Sequence, residues 1–334
     1  MPITLSEMRV GMTDKIAQKV VDTFIRKSEI LELLPFDNAV APNGGGSTLI
    51  YGYTQKKLPS ATAFRAINSE YAAKQATVEK KSVELKVFGG AFEIDRVIKQ
   101  AEGMFNNMAF QLEEKIKSAV GTFHNAMING DASVDANAFD GLDKFLVGQS
   151  TEYGTDAVLD LSTMAKLKEN ADVFYEALLK LINDTGAQAI MVNGSMKTKI
   201  QTVARVLGYK TESEEAFGRT ITTIDKVRII DLGNVVTTSG EGEEAVAVET
   251  PIINTKSRQV GGASNTGLTD IYAVKFGVED GFHGVTLTGS NAISHYLPDF
   301  KQPGAVKKGE VEMVACVALK NVKAAGVLRN VKIL

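Results

Sequence analysis

An apolar periodicity from Asp95 to Gly130 limits the possible folds of this chain more than any other feature of its sequence. Apolar residues recur in steps of three or four, at Val97, Ala101, Met104, Met108, Leu112, Ile116, Val120, Phe123 and Met127. This spacing predicts one face of an α-helix, with Asp95 as a cap and Asn129-Gly130 as a stop signal. A helix over 95–129 would be about 50 Å long, because each residue adds ~1.5 Å. Helices average ~11 residues, so we predict that this one spans a whole subunit.

A long segment ahead of this helix has no helical period. It begins NGGGSTLIYGYTQKKLPSATAFRAINSEY at Asn43 and contains two strand-like runs separated by glycine and proline. Residues 82–94 alternate apolar and polar side chains, which predicts a half-buried strand with Gly89-Gly90 as a bend or bulge. The whole segment therefore predicts a long two-stranded ribbon. A lone ribbon is only marginally stable in water, so we expect another surface to cover it.

The remaining segments predict an α+β chain. Residues 12–34 carry apolar residues at helical spacing, among them Phe24, and Pro35 ends this arm helix. After the long helix, a polar connector leads to a helix capped by Ser162 or Thr163. A buried strand in QAIMV, a second helix and a strand in VRIIDL follow, and alternating strands fill the C-terminal part. The predicted order is arm, ribbon, very long helix, α/β lobe and strands.

The composition excludes several classes of protein. Of 334 residues, 44% are hydrophobic and 23% are charged, which is the globular range. A net charge of −3 argues against a chain that holds nucleic acid by bulk charge, since such domains are strongly basic. The single Cys316 excludes an internal disulfide and indicates a reducing compartment. We find neither a signal peptide nor an apolar run near ~18 residues, so no membrane contact is predicted.

The sequence contains no recognisable catalytic or metal-binding motif. Gly44 to Gly46 precede a strand instead of a helix, so they predict a hinge and lack the context of a phosphate-binding loop. The three histidines lie far apart in sequence, at His124, His283 and His295. The acidic residues of the connector lack the spacing of a calcium loop and predict a solvated segment: Asp131, Asp135, Asp140 and Asp143. We predict no cofactor and no metal, and we predict that the chain is not an enzyme.

The order and lengths of these parts resemble the major capsid proteins of tailed bacteriophages, which have the Hong Kong 97-type fold. The arm ending in LELLPFDN, the ribbon from YGYTQKK to VELKVFGGAFEID and the long helix resemble the family's N-terminal arm, extended loop and spine helix. The connector FHNAMINGDASVDANAFDGL resembles the entry to the axial domain, and IYAVKFGVEDGFHGV opens the strand-rich remainder. The resemblance covers essentially the whole chain, and it depends on the order of the parts because no single motif is diagnostic.

The resemblance implies a division of the chain into four parts. These are an N-terminal arm at 1–40, an extended β-ribbon loop at 41–92, a peripheral domain at 93–140 plus about 281–320 with spine helix 95–129, and an α/β axial domain at about 141–280 plus the C-terminal end.

The resemblance also implies a function and partners. The chain would be a major capsid (head) protein that self-assembles, through hexamers and pentamers, into the icosahedral shell around phage double-stranded DNA. The expected partners are other copies of the chain, a portal protein, packaged DNA held weakly on the inner face, and a scaffolding protein. We expect the scaffolding protein to be separate because the arm begins close to Met1. The expected location is the virion, after assembly in the host cytoplasm.

The family's extended loop lies over a neighbouring subunit, and its arm reaches around others. The resemblance therefore implies inter-subunit contacts at Tyr51, Tyr53, Lys56, Lys57, Leu58, Phe64 and Arg65 on the ribbon and at Phe24 on the arm.

Three alternatives remain at this stage. An encapsulin-like bacterial nanocompartment shares the fold, and we disfavour it because such shells generally have shorter chains and the ribbon here is long. An α+β enzyme with an unrecognised site would need a deep polar pocket and gives no reason for the ribbon. A surface-layer protein or adhesin is disfavoured by the missing secretion signal.

Overall fold

The computed structural model describes residues 3–4, 28–39, 49–58, 60–100, 107–209, 212–216, 219–239, 246–287 and 293–334. Its helices are α1 (Glu29–Leu33), α2 (Arg96–Gln100), α3 (Asn107–Asn129), α4 (Leu142–Leu146), α5 (Met164–Thr185) and α6 (Gly194–Val206), with a 3-10 turn at Val322–Ala324. Its strands are β1 (Ile3–Thr4), β2 (Pro35–Asn38), β3 (Ile50–Leu58), β4 (Thr77–Glu84), β5 (Lys86–Asp95), β6 (Glu152–Tyr153), β7 (Leu159–Asp160), β8 (Ala189–Val192), β9 (Glu212–Ala216), β10 (Arg219–Ile224), β11 (Val227–Asp231), β12 (Asn234–Ser239), β13 (Val246–Pro251), β14 (Lys256–Val260), β15 (Ala263–Val274), β16 (Phe282–Thr286), β17 (Ile293–Tyr296), β18 (Val306–Leu319) and β19 (Ala325–Lys332).

These strands form two large sheets and two separate hairpins. The six-stranded sheet has the order β1-β2-β16-β18-β17, and β5 pairs with β18. The nine-stranded sheet has the order β6-β19-β15-β8-β11-β10-β9, with β14 on β15 and β7 on β19. Strands β3 and β4 form one hairpin, and β12 and β13 form the other. This mixture of helices and mainly antiparallel strands confirms the predicted α+β class.

The nine-stranded sheet is covered on both faces. All four residues of its central strand β8 are buried. Ile190 and Val192 pack in one hydrophobic cluster with helices α5 and α6. Ala189 and Met191 belong to a second cluster, which contains α3 and the six-stranded sheet. Because successive strand residues face opposite ways, the nine-stranded sheet is the middle layer of the described structure.

Short polar side chains fix where α5 and α6 begin. Thr163 accepts a hydrogen bond from the backbone N–H of Lys166, so the helix predicted to start at Ser162 or Thr163 is capped by Thr163. Asn193 caps α6 and also donates its side-chain amide to the carbonyl of Ile253, at 2.8 Å. This second bond holds the start of α6 against the segment between β13 and β14.

Helix α3 packs on the inner face of the six-stranded sheet. Ile116, Val120, Phe123 and Met127 are buried there, and the Phe123 ring stacks on Phe88 of β5 at 5.8 Å. The helix ends at Asn129, as the sequence predicts. Within the predicted span, 96–100 and 107–129 are helical, and 101–106 lie outside the described residues.

The predicted ribbon boundary is wrong at its C-terminal end. Residues 86–95 form β5, which pairs continuously with β18 in the six-stranded sheet, so the extended loop ends at Glu84 and not at residue 92. Gly89-Gly90 make no bulge in this ladder. Gly89 is required for a different reason, since a Cβ there would lie 2.0 Å from the carbonyl oxygen of Val311.

The end of the predicted arm belongs to the body of the chain. Helix α1 buries Ile30 and Leu31, and β2, from Pro35, pairs in parallel with β16. The rest of the predicted arm helix, including Phe24, and the predicted hinge at Gly44 to Gly46 lie outside the described residues.

A buried ionic network joins the nine-stranded sheet to α4. Arg329 of β19 contacts the carboxylates of Asp143, Glu152 and Asp270, and Arg258 binds Asp270 through two hydrogen bonds of 2.6 Å. The Arg329 side chain is only 8% exposed. Burial alone would raise the pKa of Asp143, but Arg329 and Lys256 hold that pKa below its ordinary value.

A buried histidine connects α1, α3 and the start of β12. Nδ1 of His124 lies 3.3 Å from the carbonyl oxygen of Leu232, which accepts a hydrogen bond, so Nδ1 carries the proton. Nε2 therefore accepts from the Ser28 hydroxyl at 2.7 Å, while Ser28 Oγ accepts from the N–H of Leu31. Burial lowers the pKa of His124 to about 4, which keeps it neutral at pH 7.

We expect the stability of the chain to fall as pH drops from ~6.5 to ~4. The unfolded histidine binds a proton near pH ~6.5 and the buried one only near ~4, so protons favour the unfolded state in this window. Between these two pH values, each such histidine changes the free energy of unfolding by about 1.4 kcal/mol per pH unit. His283 adds an equal change, because burial also lowers its pKa to about 4. Urea unfolding at about pH 7 and 5 measures this, and His124→Gln should remove half of the dependence. An unchanged slope in that variant would show that His124 is not responsible.

Candidate assembly surface

The ribbon is a hairpin that leaves the body of the chain. Strands β3 and β4 pair antiparallel from Ile50 with Glu84 to Leu58 with Thr77. Nine residues of strand extend about 30 Å, at ~3.3 Å each. Between the strands, residues 60–76 form neither helix nor strand, and every one of them is exposed. The ribbon thus has a base held by the body and a tip that its own chain leaves open.

The base of the ribbon packs on its own subunit. The Tyr51 hydroxyl donates to Asp37 at 2.6 Å, and its ring lies edge-on to His283 at 5.9 Å. Gln55 donates to the carbonyl of Leu319 at 3.3 Å. Tyr53 is buried in the hydrophobic cluster that also contains Tyr51 and Leu319. Burial raises the pKa of both tyrosines, and the Asp37 carboxylate adds to the effect at Tyr51.

Both rings are already buried by their own chain, so within one chain they anchor the base of the ribbon. The inter-subunit contact expected for Tyr51 and Tyr53 remains a prediction. Alternation along β3 places Tyr51, Tyr53 and Gln55 on the same face of the hairpin, and that face lies on the body.

The tip carries apolar side chains that nothing in the described structure covers. Phe64 is fully exposed, Ile67 is 91% exposed and Tyr71 is 66% exposed. Three large apolar side chains on one short segment are unfavourable in water and mark an interaction site. Of these three residues only Phe64 was predicted as a contact from the sequence, although Ile67 and Tyr71 stand in the same ATAFRAINSEY run.

The tip is locally ordered by its own hydrogen bonds. Arg65 donates to the carbonyls of Ala66 and Ser69, at 3.2 and 3.0 Å, and its guanidinium lies 5.3 Å from the centre of the Tyr71 ring. Ser69 N–H donates to Ala66, and Asn68 takes the positive φ of 68° that closes this turn. A preformed turn lowers the entropy cost of binding.

The other predicted contact residues have no described side-chain position. Lys56, Lys57 and Leu58 lie in β3, but their side chains are outside the described part of the chain, as is all of Phe24. Of the predicted set, Phe64 and Arg65 therefore lie together at the exposed tip.

A polar crevice of about 460 Å³ lies beside the ribbon base. It is bounded on one side by Tyr53 and Lys81 of the ribbon and by Lys86 at the start of β5, and on the other side by the connector after α3. Lys144 of α4 binds Asp131 and Asp140 of the connector, at 2.5 and 2.8 Å. The hydrogen bond from Lys144 is the largest of the causes that lower the pKa of Asp131 to about 2.

These carboxylates do not form a metal site. Asp143 turns away from them to Arg329, and among the described residues no three His, Cys, Asp or Glu side chains are arranged to hold a metal.

Two groups of a kind often used in catalysis, Cys316 and His283, are buried in the described structure. Cys316 is fully buried, and burial raises its pKa to about 12, so the thiol stays protonated. His283 is likewise buried, with its pKa lowered to about 4 chiefly by burial. No helix among the described residues has the length and apolar character needed to cross a membrane.

Comparisons with known proteins agree with this architecture. No family model matches the sequence, and no curated protein matches it. The structure is similar to the holo-SrpI encapsulin complex from Synechococcus elongatus PCC 7942, with a TM-score of 0.57 and 12% identity over 99% of this chain and 96% of that chain. It is also similar to the capsid of a native GTA particle, with a TM-score of 0.53 and 9% identity over 92% and 90% of the two chains. A chain from Mycobacterium phage Bobi has a TM-score of 0.50 and 8% identity over 90% of each chain.

These similarities confirm the predicted Hong Kong 97-type fold.

Proposed function

We propose that this chain is the major capsid protein of a tailed bacteriophage and forms the icosahedral shell around its DNA. The observation that carries the proposal is the ribbon, whose base is bound to its own subunit while its apolar tip is exposed. An isolated hairpin is marginal in water, and an exposed apolar tip favours burial on another molecule. A closed shell of identical chains provides such a surface for every copy.

The proposed assembly proceeds through rings. Contacts between unlike surfaces of identical subunits close into rings when the rotation between subunits allows it, and we propose hexamers and pentamers. We assign the nine-stranded sheet with α5 and α6 to the axial domain, and the six-stranded sheet with α3 to the peripheral domain. In this role the chain catalyses no reaction, and its place is the virion after assembly in the host cytoplasm.

The proposed partners follow from that role. Other copies of the chain are the main partner, and a separate scaffolding protein and a portal protein complete the assembly. Packaged DNA would touch the inner face weakly, because a chain with a net charge of −3 has no excess of cations to bind phosphates.

An encapsulin-like nanocompartment shell is the second candidate. The observation that favours it is the similarity to an encapsulin over nearly the full length of both chains. The encapsulin was disfavoured because such shells generally have shorter chains. That reason does not apply to this encapsulin, because the two chains are of nearly equal size. The contents of purified particles distinguish the candidates: double-stranded DNA supports the virus, and an enzyme cargo supports the nanocompartment.

Negative-stain microscopy with light scattering tests the proposal. We expect hollow shells, tubes or ring assemblies of megadalton mass from the chain expressed alone or with its neighbouring genes. A chain that stays monomeric or forms only a small oligomer under both conditions would contradict a shell function.

A further inference from the structure

A small apolar pocket opens at the edge of the nine-stranded sheet. It has a volume of about 230 Å³ and lies between the loop that joins β6 to β7, helix α5 and strand β19. Five apolar side chains line it: Ala157, Val158, Leu159, Ala177 and Leu328. Pockets for drug-sized ligands measure ~300–1,000 Å³, so this pocket suits a smaller molecule.

The pocket is held open by its own chain. The loop after β6 turns at Gly154, whose φ of 74° favours glycine, and a Cβ there would lie 2.6 Å from the carbonyl oxygen of Arg329. The side-chain amide of Asn330 donates to the carbonyls of Gly154 and Thr155, at 2.9 and 3.3 Å. On the opposite wall, α5 contributes the short side chain of Ala177. The walls are therefore formed before a ligand arrives, which lowers the entropy cost of binding.

The mouth of the pocket carries a positive charge. The exposed ammonium of Lys180 lies 4.9 Å from the centre of the Tyr153 ring, and no carboxylate of the described residues forms an ion pair with it. Asp184, one turn further along α5, accepts a hydrogen bond from the Tyr153 hydroxyl instead. None of the residues that line the pocket is acidic. An apolar interior beside a cation complements a ligand with an apolar body and an anionic head.

We propose that this pocket binds a small amphiphilic carboxylate with a short hydrocarbon chain. The hydrocarbon chain lies against Val158, Ala177 and Leu328, and the carboxylate meets the ammonium of Lys180 at the mouth. The head group thus keeps a charge-assisted hydrogen bond and contact with water, while the hydrocarbon chain leaves water. A bound molecule joins the sheet edge to α5 and stabilises the folded protein by mass action. The site belongs to a single chain, so the proposal does not depend on the shell function.

Titration of the full chain with octanoate tests the site. We expect isothermal calorimetry to show saturable binding with a dissociation constant on the order of 1 mM. Hexanoate is two methylenes shorter and should bind about fifteenfold more weakly, because each buried methylene contributes about fourfold in affinity. Octanoate that does not saturate, or that binds no better than hexanoate, would overturn the proposal.

Two variants of α5 assign the binding to this pocket. Ala177→Leu places a larger side chain in the pocket and keeps a strong helix former in α5, so it should abolish octanoate binding without lowering the midpoint of urea unfolding. Lys180→Gln removes the positive charge at the mouth. This variant should bind octanoate about tenfold more weakly. It should bind 1-octanol, an uncharged probe of equal chain length, within about twofold of the original affinity.

Lys168→Gln supplies the matched control. Lys168 is an exposed lysine of the same helix that does not line the pocket, so its replacement should leave octanoate binding unchanged. Unaltered octanoate binding by Ala177→Leu would contradict the site, and so would an equal loss from Lys168→Gln and Lys180→Gln. If Ala177→Leu does not fold, the comparison of octanoate with 1-octanol in Lys180→Gln decides, and an equal loss for both probes rejects the proposal.

Discussion

Replacing Phe64 with aspartate is expected to abolish shell formation and to leave the stability of the single chain unchanged. Phe64 is fully exposed and loses no contact within its own chain, so the free energy of unfolding should change by less than about 0.5 kcal/mol. In the shell, a buried phenylalanine contributes about 1.5–3 kcal/mol at each contact, and an unpaired carboxylate in its place costs more. Every copy in the shell would lose this binding free energy, so the effects add up over the whole particle. Sedimentation of particles and urea unfolding of the unassembled chain measure the two effects.

Two matched variants make this result specific to the tip. Val134→Asp changes another apolar residue that is 86% exposed, on the connector after α3, and should assemble normally. Tyr53→Ala removes a buried anchor of the ribbon base, so we expect it to lower the free energy of unfolding by about 3–5 kcal/mol. Normal shell yield from Phe64→Asp, or an equal loss from Val134→Asp, would refute the role of the tip.

Replacing Arg329 with methionine is expected to destabilise the chain by about 3–5 kcal/mol. The guanidinium faces Asp143, Glu152 and Asp270 and is almost fully buried. Without it, Arg258 and Lys256 alone remain to balance three carboxylates, and buried charges without partners are costly. Urea unfolding of the unassembled chain measures the loss, and shell yield should fall because less folded chain is available.

A surface pair supplies the control for this effect. Lys166 binds Glu169 at 2.8 Å on the exposed side of α5, and Lys166→Met should leave the midpoint of urea unfolding nearly unchanged, because water screens an exposed ion pair. If Arg329→Met costs less than ~1 kcal/mol, the network contributes little to stability and the carboxylates find other partners.

Features that depend on neighbours in sequence were predictable. The end of α3 at Asn129 and the succession of β8 and α6 follow from local periodicity and a local stop signal. The order of these parts, compared with a known family, was enough to predict the Hong Kong 97-type fold.

Features that depend on distant partners were not predictable. Alternation indicates that Tyr51 and Tyr53 share a face of the ribbon, but it does not indicate whether their own chain or a neighbour covers that face. Strand β5 was assigned to the ribbon because its partner, β18, lies far along the sequence. Arg329 likewise contacts Asp143, which lies in the other half of the chain, and no local sequence pattern predicts such a pair.

The placement of β18 and β19 has a consequence for the order of events during synthesis. These neighbouring strands enter different sheets: β18 lies between β5 and β16, and β19 lies between β6 and β15. Neither sheet is complete until residues 306–332 have left the ribosome, because pairings between distant segments must wait for both partners. The ribbon base also waits, since Gln55 binds Leu319 at the end of β18. A nascent or truncated chain thus lacks a finished surface for partners, so only subunits synthesised through these strands enter an assembly.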